Sequence, residues 1–373
     1  MNEKLMIEVN FSKMEKYKIG LVPGPVSIPK EFLKAWENDY ASSDLENEFF
    51  ELYKQNQILS QKLLKTKNKI VITSGEAMSI LWASLKCTLK PGEKMLAVSS
   101  GLFGTGFAEM ARAFGVEAEV CEFPFDEVPE PQKIYEHVKK FRPKVITAVH
   151  CETPSGTITT CLNEIGNIAR EFDALFVVDF VSSAGGVDLN VDEAGIDIGL
   201  LGSQKVLSIT PSISISSISK RAWEIIHEVN YSGYESYLGW EKVPEEKFMP
   251  YTHDWQSTKA LNLSLSKILN EGLENSFLRH SRAAELCRNL GHEIGLKLFP
   301  RDEKYSSPTV TAFYVPEKFS WSEFNLKLRE KNLAVGGNYG ELSGKIFRVG
   351  HMGSQADEEL VKIGMNIIRE VLN

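Results

Sequence analysis

The sequence has no uninterrupted apolar run near the ~20 residues needed to cross a bilayer, which excludes a helical membrane span as its organising element. It has no CxxC pair. Its five cysteines, Cys87, Cys121, Cys151, Cys161 and Cys287, are odd in number and scattered, so neither a disulfide framework nor a zinc site is indicated. Reduced, mostly buried thiols of a cytoplasmic protein are the expectation, with no bound metal. Positive charge is in deficit: 42 Lys and Arg stand against 50 Asp and Glu, a formal net charge of −8. That balance argues against a nucleic-acid or anionic-membrane partner, yet allows a small anionic ligand in a locally positive site. Repeats and low-complexity tracts are absent, and the start, MNEKLMIEVNFSKMEK, lacks the apolar stretch of a secretory signal.

What is present is the composition of a folded chain. With 373 residues, 43% of them hydrophobic and 25% charged, it has material for two or three domains. Residues 1–20 are polar and lysine-rich and read as an arm outside the core. From Lys69 strands alternate with helices. Lys69–Thr73, Lys94–Val98, Lys144–Val149, Leu175–Val178 and Ile196–Leu201 read as strands, and Glu76–Leu89 and Leu162–Phe172 as helices. Apolar strands separated by helices indicate an α/β domain whose parallel sheet is covered on both faces. Ile213–Ile218 alternates like a hairpin or edge strand. After about Lys259 a long helix leads into a mixed region with strands at Thr309–Val315 and Lys345–Val349 and a final helix from Ala356. The expected division is 1–20 arm, 21–261 large domain and 262–373 smaller α+β domain.

Lys205 follows the strand that ends at Gly202. Most such lysines are solvated, but a buried one has a lowered pKa and a free lone pair able to form a Schiff base. Asp179 closes an apolar strand. It could cap the following turn, or stand at the carboxyl end of a parallel sheet where ligands bind. An acid there beside such a lysine suits pyridoxal 5′-phosphate (PLP), because it keeps the pyridine nitrogen protonated. Thr73-Ser74-Gly75-Glu76-Ala77 joins a strand to a helix N-terminus, a setting for phosphate. Glu76 would repel phosphate, but the Thr73-x-x-Glu76 spacing of a capping box predicts that it turns back to the Thr73 N–H, away from the anion. Gly101–Gly106 has the order GxxGxG rather than the dinucleotide GxGxxG, and Phe103 within it either stacks on a planar ring or packs in the core. Arg348 alternates with apolar residues on its strand, so it holds a planar carboxylate or a structural ion pair.

Seven ordered motifs then carry a resemblance from about Leu21 to the C-terminus. They are Pro23-Gly24-Pro25, Ser74-Gly75, Gly101-x-Phe103-Gly104, His150-x-Glu152-Thr153, Val178-Asp179-x-Val181-Ser182-Ser183, Gly202-Ser203-Gln204-Lys205 and Phe347-Arg348-Val349-Gly350-His351-Met352-Gly353. The chain resembles the class V, fold-type I PLP-dependent aminotransferases, nearest the alanine–glyoxylate and serine–pyruvate group. That resemblance implies a mostly parallel seven-stranded sheet between helices plus a smaller C-terminal α+β domain. It implies that Lys205 links to the cofactor and moves the proton, that Asp179 meets the pyridine nitrogen, and that Val181 and Phe103 lie on the two ring faces. Thr153 would touch the ring's polar edge. Ser74, Gly75, Glu76 and Gln204 would line the phosphate, completed by Thr252 of the partner in a homodimer. Arg348, with Pro23 and Gly24, would receive the substrate.

The sequence departs from the family at Gly106, where many relatives have arginine, at Pro154-Ser155, and at His253-Asp254-Trp255. The expected reaction is ping-pong transfer of an amino group from alanine, serine or glycine to pyruvate or glyoxylate. Rivals are a PLP-dependent lyase or cysteine desulfurase on the same fold, and an NAD-dependent dehydrogenase using the Gly101–Gly106 loop.

Overall fold

The structure, a computed structural model, describes residues 17–373. Most of the expected arm therefore lies outside the described residues. The strands are β1 (Ile19–Leu21), β2 (Lys69–Ser74), β3 (Lys94–Ser99), β4 (Glu117–Glu122), β5 (Val145–Val149), β6 (Cys151–Glu152), β7 (Thr157–Ile158), β8 (Leu175–Asp179), β9 (Ile198–Gly202), β10 (Ile213–Ile218), β11 (Val310–Tyr314), β12 (Leu333–Val335) and β13 (Ile346–Gly350).

Seven of these form one sheet in the order β2-β10-β9-β8-β5-β3-β4. Only β10 runs antiparallel to its neighbours; the β9-β8, β8-β5, β5-β3 and β3-β4 ladders are parallel. Every residue of β5, β8 and β9 is buried, which is why each reads as a continuous apolar run rather than an alternating one. Helices Ala77–Lys86, Leu102–Ala113, Pro131–Phe141 and Leu162–Glu171 make the crossovers. The expected α/β fold with a mostly parallel seven-stranded sheet is present.

Two sequence expectations need correction. The strand Ile213–Ile218 forms the expected hairpin, antiparallel to the preceding β9, but it is no edge strand: it is fully buried between β2 and β9. Two of its three serines are accommodated by hydrogen bonds: Ser214 donates to the Gly75 carbonyl at 2.8 Å and Ser216 bonds the Tyr237 hydroxyl at 2.9 Å, while Ser217 Oγ has no partner among the described residues. At the N-terminal end, Ile19–Leu21 is not outside the core. It pairs in parallel with β12, Ile19 opposite Leu333, and Leu21 is fully buried.

A second apolar core gathers Leu21 with Phe313, Phe324, Leu333, Phe347 and Met365. It lies under helices Leu273–Glu293, Trp321–Glu330 and Glu358–Leu372 and the antiparallel β11-β13 pair. The expected division at 261/262 falls inside helix Trp255–Glu271. β13 is the element that delivers Arg348. In the sheet, β3 is followed by β4 on one side and β5 on the other, and the chain bends at the carboxyl ends of the strands open a crevice there.

Candidate active site

A cavity of about 280 Å³ sits at those carboxyl ends, lined among others by Gly24, Glu76, Phe103, Thr153, Asp179, Val181, Gln204 and Lys205. Pro23, Ser74, Gly75, Thr252 and Arg348 do not line it directly.

At the deep end Asp179 terminates β8. Its Oδ1 accepts the Val181 N–H at 2.8 Å, so the same hydrogen bond fixes the carboxylate and places the Val181 side chain on the cavity wall. Oδ2 takes no hydrogen bond from the described residues. Burial pushes the carboxyl up to about 6, opposed by that N–H and by the Lys205 charge. Such a group gains most from a cationic N–H donor, because an unpaired buried carboxylate is costly.

Lys205 follows β9 through Gly202-Ser203-Gln204. Its ammonium donates to the Pro23 carbonyl, and burial with the nearby Arg348 charge lowers its pKa to about 8. Gly24 is required beside it: φ is +106°, and a Cβ there would lie 2.5 Å from Lys205 Cδ. Thr153 is buried, bonded through its hydroxyl to Ser182.

Phe103 occupies the wall opposite Val181 in the sequence-based scheme and lines the same cavity. Its position is held by Glu152, a residue given no role from sequence. The buried Glu152 carboxylate accepts the N–H of Phe103 at 3.2 Å and of Gly104 at 2.7 Å. Burial raises this carboxyl to about 7. Gly101, whose added Cβ would lie 2.4 Å from Glu152 Cδ, makes the approach possible. The glycine loop thus opens helix Leu102–Ala113, and the amides a dinucleotide pyrophosphate would need are taken by Glu152. That removes the NAD reading of Gly101–Gly106. Its place in the motif His150-x-Glu152-Thr153 was the signal for Glu152 in the sequence.

Arg348 is buried, 7% exposed, and has no carboxylate within 4.0 Å among the described residues. Its Nε donates to the Gly337 carbonyl at 2.9 Å and Nη1 to the Thr153 carbonyl at 3.4 Å, and its guanidinium lies 5.5 Å from the Tyr339 ring centre. The structural ion pair considered from sequence is not formed.

The mouth differs from the expectation in two respects. The Thr73–Glu76 capping box is absent: Glu76 is itself the N-cap of helix Ala77–Lys86, accepting the Met78 N–H at 3.0 Å. Its other oxygen lies 3.4 Å from Gln204 Nε2, so the carboxylate faces the cavity instead of turning away. The Gly75 N–H is also engaged, by the Ser212 carbonyl at 2.7 Å. Ser74 Oγ accepts the Asp254 N–H at 3.3 Å, and Asp254 caps helix Trp255–Glu271. Thr252 is exposed and apart from the cavity, next to buried His253.

The residues lining the cavity suit the ring of PLP: an acid with an acceptor oxygen free of hydrogen bonds from the described residues, the apolar side chains of Val181 and Phe103, and the Lys205 amine. Comparison with known proteins agrees. A family model for class V aminotransferases matches residues 27–356. An uncharacterised aminotransferase of Methanocaldococcus jannaschii is 34% identical over 357 residues, covering 92% of this chain and 90% of the relative. The alanine–glyoxylate aminotransferase structure from Nostoc sp. superimposes with a TM-score of 0.92 at 28% identity, covering 98% of this chain and all (100%) of the other. Pyridoxamine–pyruvate aminotransferase from Mesorhizobium loti gives 0.92 at 27% identity, with 97% and 93% covered. By motif order, fold and relatives, the chain belongs to the class V aminotransferases, a PLP-dependent family.

Proposed function

We propose that the protein moves an amino group from a small amino acid to a small 2-oxo acid in two half-reactions that share one site. Bound PLP supplies an electron-withdrawing ring that stabilises the carbanion formed when the substrate Cα loses its proton. Asp179 holds the pyridine nitrogen in its protonated form, a role suited to a buried carboxylate with one free oxygen. Val181 and Phe103 clamp the two ring faces and exclude water, and Thr153 contacts the polar edge. Lys205 would provide the amine to which the ring is joined and, once freed, would be the base and acid that moves the proton between the substrate Cα and the cofactor C4′. Arg348 receives the substrate carboxylate, and Pro23 and Gly24 line the approach. Ser74, Gly75, Glu76 and Gln204 surround the 5′ end.

The observation that carries this reading is the convergence of Lys205, an amine with pKa near 8, and Asp179 on one cavity, with Arg348 just behind its wall at the Thr153 carbonyl and without a carboxylate partner among the described residues. A single guanidinium matches small monocarboxylic partners such as alanine, serine or glycine with pyruvate or glyoxylate; relatives are named for alanine or serine with glyoxylate and for pyridoxamine with pyruvate, while another is named for L-aspartate with glyoxylate. We assign the site to a homodimer. Tyr234 and Phe248 are 62% and 61% exposed, and Tyr234 packs at a tilt against Tyr251 with ring centres 4.4 Å apart, an aromatic patch beside Thr252 that a second copy would cover. Thr252 would then reach the partner's 5′ end. The five free, buried thiols suit a reducing, cytoplasmic setting.

The test is a half-reaction screen: single amino acids are mixed with the PLP form, and conversion to the amine form is followed by absorbance. Lys205→Ala removes the borohydride-reducible link between ring and protein and lowers turnover by at least about a thousandfold. Undiminished trapping at the same site in that variant would refute the assignment of Lys205.

A further inference from the structure

The 5′ end of the cavity is built for hydrogen-bond donors rather than for an anion. A phosphate seat at a helix N-terminus works through free N–H groups and a positive end of the helix dipole. Here the chain's own Glu76 carboxylate already sits on that end, taking the Met78 N–H with Oε1 and facing Gln204 Nε2 with Oε2. The Gly75 N–H is spent on Ser212. Gln204, buried at 8% exposure, keeps its Oε1 without a partner, a second acceptor at this end. Among the residues lining the cavity, Lys205 is the one cation, against the acids Asp179 and Glu76. A phosphate ester would bring a further charge of about −1.5 to −2 and only acceptor oxygens to this place. A neutral 5′-hydroxyl would instead donate to Glu76 and leave its cap on Met78 intact.

We propose that Glu76 selects the 5′ substituent of the ring, so that this site takes the phosphate-free vitamers pyridoxal and pyridoxamine in preference to their 5′-phosphates. The inference rests on the ring-binding reading above and deepens it. Glu76 acts as a specificity residue: it touches the 5′ oxygen and leaves the ring end to Asp179 and Lys205. Replacing its carboxylate by a hydroxyl or amide would remove the like-charge repulsion while keeping a polar cap on the helix.

The experiment compares pyridoxamine with pyridoxamine 5′-phosphate, two ligands that differ only at the 5′ position and do not react with lysine. Their dissociation constants are measured by equilibrium dialysis on the full chain, on Glu76→Thr and on Glu76→Gln, with circular dichroism confirming that each variant is folded. The wild-type protein is expected to bind pyridoxamine at least as tightly as its phosphate. Both variants are expected to shift the ratio of constants toward the phosphate by at least about tenfold. A wild-type preference for the phosphate of about a hundredfold, unchanged in both variants, overturns the proposal, since the exposed Glu76 carboxylate would then simply swing outward. Borohydride trapping of pyridoxal and PLP at Lys205 separates the two levels. Trapping with an unmoved ratio sinks only the role of Glu76, whereas no trapping of either ring sinks the aminotransferase reading itself.

Discussion

The deep end of the cavity and its mouth are built from the same sheet by opposite means. Asp179 and Lys205 are set by strand ends whose every residue is buried, so their polar atoms have few alternatives. The mouth is made by a strand-to-helix turn and a capped helix, where Ser74, Gly75 and Glu76 have neighbours competing for them. Burial shifts the ionisation of the first pair toward the neutral forms, Asp179 to about 6 and Lys205 to about 8. The comparison teaches that chemistry and ligand selection are physically separate here. The first is locked by packing; the second depends on one side chain at a helix cap.

The sharpest way to break the deep end is Asp179→Asn. It keeps the shape and removes the charge that a ring N–H would meet, and amino transfer should fall by about a thousandfold, the scale of losing one partner of a buried charged pair. Stopped-flow conversion of the PLP form by the best amino acid measures it; a loss below tenfold would mean that Asp179 is only a turn cap. Arg348→Ala comes next. The KM for amino acids should rise by about a hundredfold with the ring still bound, as expected for loss of a charge-assisted carboxylate contact. Loss of the ring with unchanged KM would instead give Arg348 a structural role.

The smallest effect sharpens the comparison through pH. Lys205 is reactive as the neutral amine, which exists above its pKa; the folded value is lowered from 10.5 to about 8. The rate of covalent capture of pyridoxal should therefore rise by about tenfold from pH 7 to pH 9 and then level off. Because the Arg348 charge contributes to the lowering, Arg348→Ala should move the midpoint upward. A rise of about a hundredfold over the same range that continues beyond pH 9 would instead show a solvated amine with the ordinary lysine pKa of 10.5.

Much of the frame was legible because buried parallel strands announce themselves: VITAV and LFVVD read as apolar runs and became β5 and β8. The edge strand β4, EAEVCE, was missed because its alternating acids face solvent. Helix Pro131–Phe141 was hidden behind the proline-rich stretch before it, although proline at a first helical turn starts helices as readily as it ends them. Lys205 and Asp179 stood out by residue type just after or at strand ends, and Arg348 as a cation within an otherwise apolar strand. Glu76 shows where pattern reading stops. Its spacing allowed two caps, and the choice between Thr73 and Met78 depends on Gln204, which the fold brings from more than a hundred residues away. Glu152 was named within a motif but its role was not legible for the same reason, since its partners Phe103 and Gly104 belong to another crossover.

The pairing of Ile19–Leu21 with Leu333–Val335 sets an order on how the protein can be made. Strand β1 is made well before β12 and must wait for that later segment before it finds its partner. Closing so long a loop costs entropy that no local contact returns, so the second core is expected to assemble last, on a sheet already formed. Until then Pro23, only two residues beyond that strand, has no fixed place beside Lys205. A nascent or truncated chain would thus carry a folded sheet with Asp179 and Lys205 in place, yet lack both the Pro23 contact and Arg348.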